Sequence, residues 1–444
     1  MIVKIKRFFV YRFISYISRL YEYILLNIAP SQPDIACLCT YSNRFAFFFL
    51  FSVCIPPVAV LPVICLHRIF ADILYRFAVY LQCGRRINPH CDFLSGPSGP
   101  KEQADYVDAL LEEINAAEEG KGRSVSSVFI GGGTPSVLDE RFIGEILNHI
   151  RRKFQIADHA EITIEVNPGT ADRNKLQAYR TYGINRLSIG LQSPDDRELK
   201  ILGRIHNYEQ FLETYRSARE AGFDNINIDL MSAIPDQTYE GWIHNLRTVA
   251  GLDPEHISAY SLIIEEGTPF ASRTLNLPDE DAEYNMYEAT AQILREYGFE
   301  QYEISNYAKK GRECRHNVGY WIRQDYLGFG LGASSLYGKE RFANTQDMKK
   351  YLENSRTPEK IREKEPPLTR EDEMAEFMFL GLRMTRGISK AEFERQFGSE
   401  IDAIYGDVLR KYKSMGLLLE ENGRIFLSRE GIHVSNSVMA DFLP

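Results

Sequence analysis

The sequence predicts an α/β protein, a partial, TIM-like βα barrel followed by a smaller α+β domain of winged-helix character. Three observations carry this. Between residues 100 and 270 apolar strands alternate with amphipathic helices, each pair about thirty residues long, which is the rhythm of parallel βα units. Successive strands end in polar residues rather than in plain turns. After residue 368 the order changes to three helices and a short hairpin.

Tyr106–Ala117 spaces Leu110, Leu111 and Ile114 along a helix face. A strand over Ser127–Ile130 runs into Gly131-Gly-Gly-Thr-Pro-Ser136. Three adjacent glycines lose much conformational freedom on folding, so they need a reason. Either a tight turn or a backbone pressed against a ligand supplies one. Phe142–Phe154 places Ile143, Ile146, Leu147 and Ile150 inward. Glu161–Pro168 alternates with period two and is stopped by Pro168 and Gly169. Lys175–Tyr182 is a helix closed by Gly183, and Arg186–Gln192 is the next strand. A helix over Tyr208–Ala221, a strand over Asn225–Met231, a helix over Trp242–Leu252 and a strand over His256–Leu262 follow. No Gly-x-Gly-x-x-Gly fingerprint opens the series, which disfavours a dinucleotide fold.

Thr134, Glu165, Asn167, Gln192 and Asp229 lie at or near the C-terminal ends of these strands. In a βα barrel those ends converge on the face where active sites form. Beyond Gly267 the rhythm weakens to a helix over Asp281–Tyr297 and the segment Glu303–Tyr307. The charged stretch Lys350–Pro367 reads as a linker or solvated face. Helices over Glu371–Met384, Lys390–Phe397 and Ile401–Met415, with a hairpin ending in Gly423–Ser428, give the winged-helix order. The expected domains are therefore a barrel over 83–300, a connecting region over 301–367 and a winged-helix-like domain over 368–444.

Residues 1–82 do not match the rest. Residues 1–91 carry ten Lys/Arg against three Asp/Glu, a balance of +7, which leaves −16 for the remainder of a chain of net charge −9. Six of the seven cysteines, at 37, 39, 54, 65, 83 and 91, lie there too. Phe45–Leu66 has no charge and is long enough to span a bilayer, but Pro56, Pro57 and Pro62 interrupt it. Three readings stand side by side: a membrane anchor, a poorly structured extension, and a stretch from a misread reading frame. The acidic remainder holds only Cys314, which fits a reducing cytoplasm. Its charge gives no support for nucleic-acid binding, and the winged-helix segment lacks a basic recognition face.

Gly131–Ser136, Glu161–Thr170, Gly183–Ser193, Leu202-Gly-Arg-Ile-His206 and Asn227–Met231 resemble the radical S-adenosylmethionine (SAM) proteins of the oxygen-independent coproporphyrinogen III oxidase group. The resemblance runs from about residue 90 to the C-terminus. Within the group the chain is most similar to HemW, the haem chaperone branch. That choice rests on Arg315-His-Asn-Val-Gly-Tyr-Trp321, which resembles the branch's His-Asn-x-x-Tyr-Trp element, and on Tyr326–Ser334 after it. The structural alternative makes Tyr320 and Trp321 core aromatics and His316 a surface histidine.

The resemblance implies a radical SAM barrel with SAM, a [4Fe–4S] cluster and haem as its cofactors. Three cysteines spaced Cys-x₃-Cys-x₂-Cys would hold the cluster, and electron transfer from it would cleave the SAM sulfonium bond to a 5′-deoxyadenosyl radical. Gly132, Gly133 and Thr134 would lie beside the SAM amino group, Glu165 at its ribose or amino-acid end, and Gln192, Arg204 and Asp229 would complete the envelope. His316, Asn317, Tyr320 and Trp321 would serve haem, with His316 a natural axial ligand and the two aromatic rings facing the porphyrin. The implied partners are haem and haem-accepting proteins, with membranes met only through the latter. Of the cluster ligands only Cys91 is in register. Asn88 and Gly84 occupy the other two positions, and Cys83 lies one residue off. The rival readings are a coproporphyrinogen III oxidase, an inert binding protein without a cluster, and a membrane-anchored form.

Overall fold

The computed structural model describes residues 99–444, except 121–123, 265–267 and 269. The expected extension 1–82, the apolar run Phe45–Leu66 and the candidate ligands Cys83 and Cys91 lie outside the described residues.

Helix α1 (Pro100–Ala116) starts with Pro100, whose missing N–H costs nothing at that position, and buries Tyr106, Val107, Leu110 and Ile114. Then come β1 (Ser124–Ile130), α2 (Glu140–Lys153), β2 (Gln155–Val166), α3 (Arg173–Thr181), β3 (Arg186–Gln192), α4 (Asp196–Ile201), α5 (Tyr208–Glu220), β4 (Ile226–Ser232), α6 (Tyr239–Ala250) and β5 (His256–Ser261). From α2 to α6 each helix begins where a short polar side chain caps it, Asp195 accepting from Arg197 N at the start of α4. Asp139 accepts from Arg141 N, Asp172 from Lys175 N, Asn207 from Gln210 N, and Thr238 from Gly241 N. Gly183 ends α3 with φ +88°, the left-handed backbone that glycine adopts freely.

Strands β1 to β5 pair in sequence order, all parallel. Every residue of β3 is buried, as expected for a parallel strand covered on both faces. This is the curled, partial βα barrel that the rhythm predicts, with α4 as an added short helix. After α7 (Glu280–Glu296), β6 (Glu300–Glu303) and β7 (Asn306–Ala308) extend the sheet antiparallel in the order β5-β7-β6. The boundary expected at 300/301 therefore falls inside the sheet. Two short strands at a hairpin spacing carry no βα signal, so the rhythm ended before the sheet did.

Next come α8 (Arg315–Trp321), β8 (Ser334–Tyr337), β9 (Glu340–Asn344), α9 (Met348–Asn354), α10 (Pro358–Ile361) and β10 (Arg362–Lys364). The stretch 350–367, expected as a linker or solvated face, is packed. Tyr351 and Ile361 are fully buried, and β10 completes a sheet in the order β10-β9-β8. Most of its charged residues point outward, but Arg362 turns inward to pair with Glu119 Oε1 at 2.5 Å and cover the Phe342 ring, and with Tyr351 and Ile361 it docks the segment. Tyr351 Oη donates to Glu113 Oε2 of α1 at 2.7 Å.

The C-terminal part comprises α11 (Arg370–Gly381), β11 (Ile388–Ser389), α12 (Lys390–Phe397), α13 (Ile401–Ser414), β12 (Leu418–Glu421), β13 (Arg424–Leu427), α14 (Arg429–His433) and α15 (Ser435–Ala440). Its first three helices and the β11-β13-β12 sheet are the expected winged-helix-like arrangement, with α14 and α15 following it. Glu376 of α11 joins it to the preceding region, meeting Arg323 Nε at 3.0 Å and Arg341 Nη2 at 2.5 Å, with all three side chains buried.

Candidate functional site

The glycine loop is built against β2. A Cβ on Gly131 would lie 2.7 Å from the Glu165 carboxyl carbon and 2.8 Å from the Phe129 ring, so only glycine fits. Gly132 has φ +92° and donates its N–H to Glu165 Oε2 at 3.1 Å. Gly133 is exposed, which leaves its backbone open to a ligand. Thr134 Oγ1 accepts from Asn167 Nδ2 at 3.1 Å. A Cβ on Gly190 would come within 3.2 Å of both Asn167 Oδ1 and Gln192 Nε2, so those two amides share one corner. Gln192 itself has φ +72°. A non-glycine residue held there costs on the order of 1–3 kcal/mol, and such strain collects at functional sites.

Asp229 lies inside β4. It accepts from Asn227 Nδ2 at 2.8 Å and from Ser188 Oγ at 3.3 Å. Burial raises its pKa despite these donors. Burial, and then the charge of Asp229, push Glu165 up to about 7. Two neighbouring carboxyl groups, each raised by burial, make a site that suits a positively charged or hydroxyl-bearing ligand. The methionine amino group and the ribose hydroxyls of SAM have that chemistry. The structure thus brings together Gly132, Thr134, Glu165, Gln192 and Asp229, five of the residues expected around SAM. Arg204 sits in the turn after α4, its N–H bonded to Leu199 O, next to His206, whose Nε2 meets the Leu191 carbonyl at the end of β3.

The sequence reading missed what stands behind Asp229. Asn227 Oδ1 meets His256 Nδ1 at 2.6 Å, and His256 Nε2 meets Tyr302 Oη at 2.8 Å. Tyr302 Oη accepts from Cys314 N at 3.3 Å. Glu161 accepts the backbone N–H groups of Arg315 and His316 at 3.1 and 3.2 Å, capping α8. Buried Arg186 compensates that carboxylate and, after burial itself, lowers the His316 pKa. One signal was legible, since Asn227 and Asp229 are two apart on a strand and so share a face. His256 and Glu161 had none.

Helix α8 divides the aromatic element. Residues 316, 319 and 320 face a cleft of about 400 Å³ lined by Val125, Phe129, Phe154, Tyr326 and Phe329 among others. His316 Nδ1 lies 2.9 Å from Ser127 Oγ, and Nε2 lies 3.0 Å from Tyr320 Oη. Burial lowers the His316 pKa to about 3, so the imidazole is neutral at physiological pH. The Asn317 N–H bonds the Cys314 sulfur, and burial first of all pushes that thiol up to about 12.

Trp321 was expected at the porphyrin face and is instead turned away. Its ring lies under the Arg383 guanidinium at 4.1 Å and packs with Val318 against Tyr302, Ala308 and Met384. The reason is helical period: a residue five positions after His316 cannot share its face. For Trp321 the core alternative describes the structure.

Residues 86–249 match the radical SAM superfamily and residues 368–434 the HemN C-terminal domain. The heme chaperone HemW of Bacillus subtilis (strain 168) is 35% identical over 366 residues, covering 80% of this chain and 95% of its own length. That of Escherichia coli (strain K12) is 36% identical over 363 residues, covering 77% and 92%. A radical S-adenosyl methionine domain-containing protein 1, mitochondrial, from Bos taurus is 31% identical over 83% of this chain and 87% of that one. Among solved structures, the coproporphyrinogen III oxidase HemN from Escherichia coli superposes with a TM-score of 0.71 over 82% of this chain and 90% of that one. At 23% identity, this shows the fold.

Proposed function

Because the chain belongs to the HemW family of radical SAM proteins, we propose that it binds haem in the cleft beside His316 and passes it to haem-accepting proteins. One observation carries the placement. His316 and Tyr320 wall an apolar, aromatic cleft whose opposite side is β1, the strand that runs into the glycine loop. A cleft of about 400 Å³ is in the range that holds small ligands and cofactors. Phe129 stands between the two sites, its ring 5.3 Å from that of His316 and against the Gly131–Glu165 contact.

SAM fits the strand-end site by the chemistry of its donors and acceptors. The glycine loop presents bare backbone, Glu165 and Asp229 would hold the amino and hydroxyl groups, and Thr134, Asn167 and Gln192 would add neutral polar contacts. When bound, SAM and the cluster supply reductive bond-cleavage chemistry. The chain's own part is to orient SAM and hold it away from water. Cytoplasmic residence is supported by the single thiol of the acidic part, and no helix among the described residues is long and apolar enough to cross a membrane.

Titration with haem is expected to give a saturable Soret band at one haem per chain, and His316→Ala should weaken it in a protein that keeps its circular dichroism. Under reducing conditions with SAM, coproporphyrinogen III should not be converted to a porphyrin. Turnover of that substrate would establish the oxidase reading instead.

The cluster gives a separate prediction. With Gly84 and Asn88 at two ligand positions, anaerobic reconstitution should load well under four irons per chain, because one or two thiolates do not hold a cubane. Gly84→Cys with Asn88→Cys should raise the iron and sulfide content. Full loading of the unaltered chain would show that other ligands serve.

A further inference from the structure

Asn227, the neighbour of Asp229 on the same face of β4, spends its whole side-chain amide. Its Nδ2 donates to Asp229 Oδ1 and to Ser188 Oγ, both at 2.8 Å. Its Oδ1 meets His256 Nδ1 at 2.6 Å and accepts from Ser258 Oγ at 3.1 Å. Asn227 and His256 are direct partners in the register of β4 and β5, so their side chains lie side by side. Behind them, His256 Nε2 meets the Tyr302 hydroxyl, and that hydroxyl accepts from the N–H of Cys314 at the start of α8. A single direction runs through this line. A backbone N–H only donates, so the Tyr302 oxygen accepts from Cys314 and its own proton is left for His256 Nε2. His256 is fully buried, which keeps its imidazole neutral. A neutral ring that accepts at Nε2 carries its proton on Nδ1 and donates it to Asn227 Oδ1. The far end agrees, since an ionised Asp229 only accepts. Every donor in the line therefore points towards one carboxylate.

We propose that His256 is a positioning residue for SAM: by donating from Nδ1 it fixes the Asn227 amide, and the fixed amide aims the Asp229 carboxylate at the ligand. The proposal rests on the reading of the strand ends as the SAM site. Asp229 Oδ1 is tied to Asn227 at 2.8 Å and Oδ2 to Ser188 at 3.3 Å, so the plane of the carboxylate is set before a ligand arrives. Lone pairs remain on both oxygens for an ammonium or hydroxyl hydrogen. A carboxylate ordered in advance loses less freedom on binding. Without a donor at the His256 position, the Asn227 amide can turn its oxygen towards Asp229. Two acceptors would then face each other, and the carboxylate would lose both its support and its orientation.

The test is calorimetric titration with SAM of the full chain, and of the full chain carrying Gly84→Cys and Asn88→Cys. His256→Leu removes the donor at similar size and should weaken SAM binding about tenfold, the order of one well-placed hydrogen bond. His256→Asn, whose amide nitrogen can take the place of Nδ1, should keep the affinity to within about threefold. Added to Asp229→Ala, His256→Leu should cause no further loss, whereas a merely structural role would lower affinity equally with or without Asp229. Tyr302→Phe keeps the ring against Met384 but removes the hydroxyl that serves Nε2, and it should weaken SAM in the same direction. Wild-type affinity in a folded His256→Leu chain would overturn the assignment, as would wild-type affinity in Tyr302→Phe where the leucine variant does not fold. So would an asparagine variant as weak as the leucine one, or a leucine loss that persists in full beside Asp229→Ala. In each of these cases SAM would remain the ligand of the strand ends. Absence of saturable SAM binding by both starting chains would remove the SAM reading itself, and this assignment with it.

Discussion

Glu113→Ala should destabilise the protein by about 3–5 kcal/mol, the range for removing one partner of a buried charged network. Glu113 is fully buried in α1 and accepts from three donors: Tyr351 Oη at 2.7 Å, Gly330 N at 2.8 Å and Asn344 Nδ2 at 2.7 Å. Truncation leaves all three without that acceptor, and each orphaned donor costs about 1–3 kcal/mol. The same carboxyl clamps three later segments, the loop at 330, β9 and α9, onto the first described helix. A shift of several degrees in Tm and a lower urea midpoint should report the loss. Burial raises the Glu113 pKa to about 7. The sign follows from linkage: a carboxyl whose folded pKa lies above its unfolded one contributes stability at low pH. That contribution declines from about pH 4.5 upward and is lost as pH passes about 7. Glu113→Gln should therefore flatten part of the fall in stability between pH 5 and 8. An alanine variant within 1 kcal/mol of wild type, or an unchanged pH slope in the glutamine variant, would contradict this account.

Asp229→Ala and Gln192→Ala should each weaken SAM binding about ten- to a hundredfold, the equivalent of about 1.5–3 kcal/mol for a lost charge-assisted or strained, well-placed contact. Arg204→Ala is expected to fall in the same direction if its side chain reaches the SAM carboxylate. Calorimetry on a chain carrying Gly84→Cys and Asn88→Cys is the proper comparison, because the cluster holds part of SAM. Asp229→Asn separates charge from shape. It keeps a polar group beside Asn227 and Ser188 while relieving the repulsion that raises Glu165. Unchanged affinity in the Asp229 and Gln192 variants would remove SAM from the strand ends.

The barrel was legible because its signals are local and repeated. Period-two apolar runs, capped amphipathic helices and a glycine after α3 each restate the same architecture within a few residues. The glycine loop and the polar strand ends were legible for a related reason: parallel strands of one sheet must bring their C-terminal ends to one side, so a position along a strand becomes a position in space. The extension of the sheet by β6 and β7 was not legible, since two short antiparallel strands carry little periodicity. Nor was the docking of 350–367, where Tyr351 and Ile361 are outnumbered by charges, and nothing local marks Arg362 as the one that turns inward to Glu119.

By itself, then, the sequence determined the βα order, the place of the glycine loop at 131–134, the family resemblance and the departure from the three-cysteine pattern at 84 and 88. All of these depend on residues near one another in the chain. Only the tertiary structure decided that His316 spends both ring nitrogens on Ser127 and Tyr320, that Trp321 belongs beneath Arg383 rather than in the cleft, and that Glu161 and Arg186 set the start of α8. Those pairings join residues up to 189 positions apart. Which nitrogen, ring face or carboxylate oxygen is engaged depends on how helix faces and strand registers meet in space, and no local pattern records that.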